Sequence, residues 1–120
     1  MSSAQGQKYD LEERSFQFAK RVRRFVKRLP RTICNIEDGK QLVRSSGSLG
    51  ANYIEGNEAL SKKDFRLRLK ISRKEAKESL YWLRLLDAGT DADVDQERND
   101  LIREGTELMK IFGAIVRKCE

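Results

Sequence analysis

The sequence predicts an all-α protein, an antiparallel up-and-down four-helix bundle. Apolar residues recur every three or four positions along four segments, no segment alternates as a strand does, and proline occurs once in 120 residues. One hydrophobic core typically serves about 100 to 200 residues. We therefore expect a single bundle domain at 10–118, preceded by a flexible N-terminal tail at 1–9.

The first helix is predicted at 10–29. Asp10 is suited to cap its start, with Glu13 in the capping-box position, and Pro30 cannot continue the helix. Residues 31–38 are then expected to form a connection. The predicted core stripe of this helix comprises Phe18, Val22, Phe25, Val26 and Leu29.

The second helix is predicted at about 39–60, although its serines and glycines are poor helix formers and propensity alone favours a loop. Periodicity outweighs propensity here, because one helical face collects apolar and small residues. Small residues on that face allow a neighbouring backbone to approach closely. The face comprises Leu42, Ser46, Leu49, Tyr53 and Leu60, flanked by Val43, Gly47, Gly50 and Ile54.

The third helix is predicted from Ser61, a good N-terminal cap with Asp64 three positions later, to about Asp87, with Gly89 as its stop. Its core stripe comprises Phe65, Leu69, Ser72, Ala76, Leu80 and Leu83. Nearly opposite lies a second apolar set that a small bundle does not need for its own core. We expect another subunit to bury this set, which comprises Leu67, Ile71, Tyr81, Trp82 and Leu85.

Three alternating aspartates, Asp91, Asp93 and Asp95, lead into the predicted fourth helix, whose apolar positions are followed from Val94. The glycine and terminal glutamate of a calcium loop do not follow them at the required spacing, so they favour helix capping over calcium binding. The core stripe comprises Leu101, Leu108, Phe112 and Ile115, flanked by Ile102, Met109 and Val116.

The net charge of +6 is unevenly distributed. Residues 1–31 carry +6 and 61–88 carry +5, whereas 32–60 carry −2 and 89–120 carry −3. Rows of long cationic side chains suit nucleic-acid phosphates, and the alternative is that they are simply solvated. The candidate nucleic-acid-binding residues are Lys20, Arg23, Arg24, Lys27 and Arg31 on the first helix and Lys63, Arg66, Lys70, Arg73 and Lys77 on the third.

Two function classes follow from these features. The first is an oligomeric bundle that binds the sugar-phosphate backbone of RNA or DNA, since the sequence has no base-reading motif or aromatic platform. The second is a homo-oligomeric protein-interaction module whose basic surface meets an acidic protein partner.

The absence of histidine excludes Ser-His and Cys-His nucleophiles and histidine metal sites, so we expect no catalytic residue, metal or cofactor. Cys34 and Cys119 have no CxxC neighbour and are expected to be reduced thiols. No signal-peptide core opens the chain, and the longest late apolar run is 111–116, which favours a cytoplasmic protein without a membrane segment.

The second helix also carries a motif, QLVRS at 41–45 followed by SLGANYIEG at 48–56. With LP at 29–30, KDF at 63–65 and AKES at 76–79, it resembles the proteins encoded in intervening sequences of bacterial 23S rRNA genes. The resemblance implies an up-and-down bundle that assembles as a homopentameric ring. It also implies a relation to the accessory subunit of diversity-generating retroelements, which binds nucleic acid and a reverse transcriptase.

The polar residues of this motif fall on one helical face. We expect them to form a polar network within the bundle or between subunits, with a ligand clamp as the alternative. A catalytic role is disfavoured because the glutamate on this face lacks an acid/base partner. The residues are Gln41, Arg44, Ser45, Ser48, Asn52 and Glu55.

Overall fold

Four helices follow one another along the chain in the computed structural model, which describes residues 3–120 and, from Leu11 onward, their side chains. They are α1 (Ser3–Lys27), α2 (Ile33–Asn57), α3 (Lys62–Leu85) and α4 (Ala92–Lys118). Residues 3–120 contain no strand. The predicted all-α four-helix bundle is confirmed.

The helices are arranged in chain order around the core. Contacts join α1 to α2, α2 to α3, α3 to α4 and α4 back to α1. Within the described part of the chain, the backbones of α1 and α3 are not adjacent, nor are those of α2 and α4, whose side chains meet only in the core, as the rings of Tyr53 and Phe112 do with 5.9 Å between their centres. The short connections therefore produce an up-and-down bundle in which α1 and α3 lie on a diagonal.

The predicted start of the first helix at Asp10 is wrong, because α1 begins at Ser3. No proline interrupts 3–9, and the buried side chain of Leu11 extends the core face toward the N-terminus. Residues 3–9 of the predicted tail continue the α1 backbone, while Met1 and Ser2 lie outside the described residues.

The predicted connection at 31–38 is also largely helix. Thr32 caps α2, and its hydroxyl accepts a hydrogen bond from the backbone N–H of Asn35 at 3.1 Å. The buried amide of Asn35 donates to the carbonyls of Pro30 and Asp87, each at 2.9 Å, and accepts from the N–H of Asp87 at 3.0 Å. One side chain thus joins the α1–α2 connection to the α3–α4 connection.

The predicted caps of the third and fourth helices agree with the structure, whereas α2 ends at Asn57, before the predicted end at about 60. The hydroxyl of Ser61 accepts from the N–H of Asp64 at 3.1 Å, and the carboxylate of Asp91 accepts from the N–H groups of Asp93 and Val94. Gly89 has φ +73°, a conformation that favours glycine. Asp91 therefore caps α4, and Asp93 and Asp95 lie in its first turn, where negative charge is favourable.

Most of the predicted core is buried. One prediction is wrong, since Leu60 lies beyond the end of α2 and is 99% exposed. Val26, Phe65, Leu80 and Ile115 are partly buried against the core. The fully buried large side chains comprise Phe18, Val22, Phe25, Leu42, Leu49, Leu69, Leu83, Leu86, Val94, Leu101, Leu108 and Phe112.

The small residues of α2 give the close approach expected of them. A Cβ added at Gly50 would lie 3.1 Å from the Cβ of Ser15 on α1, and one added at Gly56 would lie 2.9 Å from a methyl of Leu69 on α3. Along the described residues, no helix has both the length and the apolar character needed to span a membrane.

Candidate nucleic-acid interface

The two predicted basic rows lie on helices whose backbones are not neighbours in the bundle. The first row is on α1 and the second is on α3, the diagonal pair of the bundle. The rows therefore face different sides of one chain. The charge of each segment alone does not show this arrangement, and phosphate binding by either row stays a prediction.

Part of the basic charge of α1 is neutralised by α4. Arg14 forms ion pairs with Glu104 at 2.7 Å and Glu107 at 3.2 Å, and Arg21 pairs with Glu97 at 2.9 Å. The hydrogen bond to Glu97 raises the pKa of Arg21, against the opposing effect of burial. The acidic half of α4 thus serves to bind α1.

The predicted residues of the α1 row are exposed, and all but Arg31 lie on α1. The predicted place of Arg31 on the first helix is wrong, because α1 ends at Lys27 and Arg31 lies in the connection to α2. The ammonium of Lys20 lies 5.5 Å from the centre of the Phe16 ring, and the guanidinium of Arg23 donates to the carbonyls of Ala19 and Val43 at 3.0 and 3.5 Å. No carboxylate of residues 11–120 forms an ion pair with any member of this row, which comprises Lys20, Arg23, Arg24, Lys27 and Arg31.

The α3 row is less uniform than predicted. Arg66 is half-buried and pairs with Glu120 at 2.9 Å, so its charge is partly compensated. Lys70 is also half-buried, whereas Lys63, Arg73 and Lys77 are exposed.

Three cations of α3 face two cations of α4 across a groove of about 560 Å³. We call this the basic groove, and Met109 and Gly113 complete its lining. Its five cations form no ion pair with any described carboxylate, so their positive charges add within one concave surface. They are Arg73, Lys74, Lys77, Lys110 and Arg117.

Lys74, Lys110 and Arg117 are the members of this groove that the sequence analysis missed. The net charge of −3 over 89–120 hides a division within α4, whose acidic residues end at Glu107. Cations near a helix C-terminus interact favourably with the helix dipole. The C-terminal half of α4 is therefore basic, although the whole segment has a negative net charge.

The polar motif face of α2 makes contacts within the chain. Arg44 pairs with Glu75 at 2.9 Å and Glu78 at 2.8 Å on α3, and the hydroxyls of Ser45 and Ser79 lie 2.8 Å apart. Burial lowers the pKa of Arg44, but the two carboxylates outweigh this and raise it.

The rest of this face is more open. Asn52 donates to the carbonyl of Ser48 at 2.9 Å and accepts from Arg68 on α3 at 3.0 Å. Gln41 and Glu55 are exposed. The face thus forms a polar connection between α2 and α3 along most of its length.

The second apolar set of α3 lies on the outside of the bundle. Leu67, Tyr81 and Leu85 are exposed, and Ile71 and Trp82 are half-buried. The rings of Tyr81 and Trp82 pack edge to face with 5.1 Å between their centres. The burial of this set by another subunit stays a prediction.

Comparison with known proteins bears on the fold and the family. A solved structure from Bacteroides thetaiotaomicron, described as a protein of unknown function from the S23 ribosomal protein family, is 31% identical. The similarity covers 88% of this chain and 97% of that one, with a TM-score of 0.74. No curated protein matches. The family model described as 23S rRNA-intervening sequence protein matches residues 7–114, and the chain therefore belongs to that family.

Proposed function

We propose that this protein is a non-enzymatic, homo-oligomeric bundle that binds the phosphate backbone of RNA or DNA through the basic groove. The observation that carries the proposal is the convergence of five cations, without a paired carboxylate among the described residues, on one concave surface between α3 and α4. An unpaired cation exchanges its counterions for phosphates on binding, which is the main source of nonspecific nucleic-acid affinity.

The size of the groove limits the ligand it holds. Arg73 and Lys77 are four residues apart and Lys110 and Arg117 seven, which at about 1.5 Å per residue corresponds to about 6 and 10 Å along the helices. A groove of this length contacts only about three consecutive phosphates, since one strand of a duplex rises about 3.4 Å per nucleotide. Stronger binding then requires several copies of the chain on one nucleic acid, in agreement with an oligomer.

The lining of the groove favours binding without sequence readout. Met109 and Gly113 offer no hydrogen-bonding side chain, and no asparagine, glutamine or aromatic residue of the described chain lines the groove. Base recognition uses such groups, or bidentate arginines directed at base edges. The α1 row faces another side of the bundle and provides a separate, secondary set of phosphate contacts.

Charge reversal tests the proposal. We expect Arg73→Glu with Lys77→Glu to weaken binding of a fluorescein-labelled 20-nucleotide single-stranded RNA or DNA by at least about tenfold at low salt, for every sequence alike. Arg24→Glu with Lys27→Glu on α1 is the matched control and should have a smaller effect. No binding by the wild type, or an equal loss in the two double variants, would contradict the assignment to the groove.

The second candidate function is a homo-oligomeric protein-interaction module, favoured by the exposed apolar set of α3. The resemblance noted above implies a pentamer. Replacing Trp82 and Leu85 with glutamate should lower the mass measured by light scattering, because buried charge at a subunit interface is costly. A monomeric wild type would contradict this candidate, and nuclease-treated protein that binds no RNA at low salt would favour it over nucleic-acid binding.

A further inference from the structure

A second groove runs along the outer side of α1 and α2, and its lining is largely apolar. One section, of about 360 Å³, is lined by Phe16 and Ala19 on α1 and by Ala51 and Ile54 on α2. A second section, of about 220 Å³, lies nearer the α1–α2 connection and includes Val26, Ile36, Gly39 and Val43. We call the two sections together the α1–α2 groove.

The two sections follow one another along α1 and α2, separated by one side chain. Arg23 lies between them, where its guanidinium donates to the carbonyl of Val43 on α2 at 3.5 Å. The lining residues on α1 extend from Glu12 to Val26, about 21 Å at the helical rise of about 1.5 Å per residue, and Leu29 and Pro30 continue the lining beyond the end of the helix. The length along α1 alone matches a helix of about four turns.

The walls of the groove present large apolar side chains to solvent. Phe16 is 55% exposed on the α1 side and Ile54 is 50% exposed on the α2 side. Exposed apolar residues that line a groove together, rather than being scattered singly, mark an interaction surface. A helix that places one apolar side chain in the groove every three or four residues fits this shape.

The rim of the groove selects the charge of its occupant. Lys20, Arg23, Arg31 and Lys40 lie along it, against a single described carboxylate, Glu12. Lys40 pairs with Glu37 at 3.6 Å, and the carboxylate of Glu12 accepts from the amide of Asn57 at 2.9 Å. The other three cations form no ion pair with the described carboxylates, so the rim is positive.

A second copy of this chain is the obvious alternative occupant, through the outer apolar set of α3. That set is bordered by Lys70 and Lys74, which would face the cations of the rim. Leu67, at the N-terminal end of the set, lines a pocket with the carboxylates of Glu55, Glu58 and Asp64. Along the rest of the set, the carboxylate of Glu78 already pairs with Arg44 of its own chain at 2.8 Å. Like charges brought together across an interface suppress that pairing.

We infer that the α1–α2 groove is a docking site for an amphipathic helix of another protein, with an apolar stripe bordered by aspartate or glutamate. This site lies on the side of the bundle away from the basic groove, because α1–α2 and α3–α4 form opposite sides of the helix square. The inference therefore does not depend on nucleic-acid binding.

The test uses a labelled peptide probe of 18 residues, with leucines at helical spacing and glutamates on both borders, and a second peptide in which lysines replace the glutamates. We expect the wild type to bind the glutamate peptide at least about tenfold more tightly than the lysine peptide. Phe16→Glu and Ile54→Glu should each weaken binding by about tenfold. Leu60→Glu, a matched change at an apolar residue 99% exposed and outside both grooves, should leave it unchanged.

A second pair of variants keeps the test decisive if an apolar substitution impairs folding. Lys20→Glu with Arg31→Glu alters only exposed charges and should remove the preference for the glutamate peptide. Arg73→Glu with Lys77→Glu, which tests the basic groove, should bind the peptide like the wild type. The inference is overturned if the wild type binds neither peptide, if it binds both equally, or if Phe16→Glu lowers the mass of an oligomer and so shows a second copy in the groove.

Discussion

Arg44 on α2 and Glu75 on α3 form an ion pair of 2.9 Å in which the glutamate side chain is only 7% exposed and the arginine is half exposed. The pair is asymmetric, since water solvates the cation but hardly reaches the anion. Arg44 therefore compensates a carboxylate that the packing of α2 against α3 removes from solvent.

Arg44→Ala is expected to destabilise the protein by about 1–2 kcal/mol. This is less than the roughly 3–5 kcal/mol for breaking a fully buried pair, because water screens the exposed arginine. Urea unfolding measures the effect. Lys40→Ala, which breaks an exposed pair with Glu37, is the control, and an equal loss in both variants would show that the burial of Glu75 is unimportant.

Gly89→Ala and Gly113→Ala are expected to act in opposite directions. At Gly89 the positive φ disfavours a side chain and the new Cβ would lie 2.9 Å from Pro30, so we expect a loss of about 1–2 kcal/mol. At Gly113, inside α4, the new Cβ would make an ordinary contact at 3.4 Å, and alanine should add about 0.5–1 kcal/mol. Thermal or urea unfolding of the two variants would contradict this pair of predictions if both changes had the same sign.

Tyr53 is expected to make the stability fall at alkaline pH. Burial raises the pKa of its hydroxyl above the ordinary value of about 10, aided by Glu12 and opposed by a hydrogen bond with Asn57. The unfolded chain then loses this proton first, so the contribution is complete below about pH 10 and declines as the pH rises through the folded pKa. Over that interval the wild type loses this contribution, whereas Tyr53→Phe has no hydroxyl to titrate. The difference in free energy of unfolding between the two proteins should therefore become smaller as the pH rises, as measured by urea unfolding at a series of pH values. A difference independent of pH would contradict it.

Neutralising the basic groove is expected to change the salt dependence of nucleic-acid binding. For a single strand, the slope of log K against log salt concentration should become shallower by about 0.7 for each phosphate that Arg73→Ala with Lys77→Ala no longer neutralises. Fluorescence anisotropy between low and moderate salt gives the slope, and the control, Arg24→Ala with Lys27→Ala, should change it less. If the groove variant has the same slope as the wild type, the nucleic-acid phosphates are bound outside the basic groove.

The local features of the fold were predictable from the sequence because they depend on neighbouring residues. Ser61 and Asp91 cap the helices that follow them, and the 3.6-residue periodicity identified most of the core. The start of α2 was not predicted because its cap, Thr32, lies only two residues after Pro30, and proline indicates the end of a helix more strongly than threonine indicates the start of one. The start of α1 was misplaced because a capping residue, Asp10, occurs inside a longer helix.

The candidate interface was less predictable, because it depends on which helices become neighbours. Segment charges identified α3 as basic, but they could not show that its cations face Lys110 and Arg117. Likewise, the pairing of Arg14 with Glu104 follows from the contact of α1 with α4 rather than from either helix alone.

The hydrogen bonds of Asn35 give the two ends of the bundle different mechanical roles. At its end, two connections are fastened to each other through a buried amide. The far end has a single connection, between α2 and α3, together with the first turn of α1 and the last turn of α4. Amide hydrogen exchange should therefore be faster at the far end, with the backbone around Asn35 among the last to exchange. The bundle then unfolds locally from the far end while the two connections joined by Asn35 stay in place.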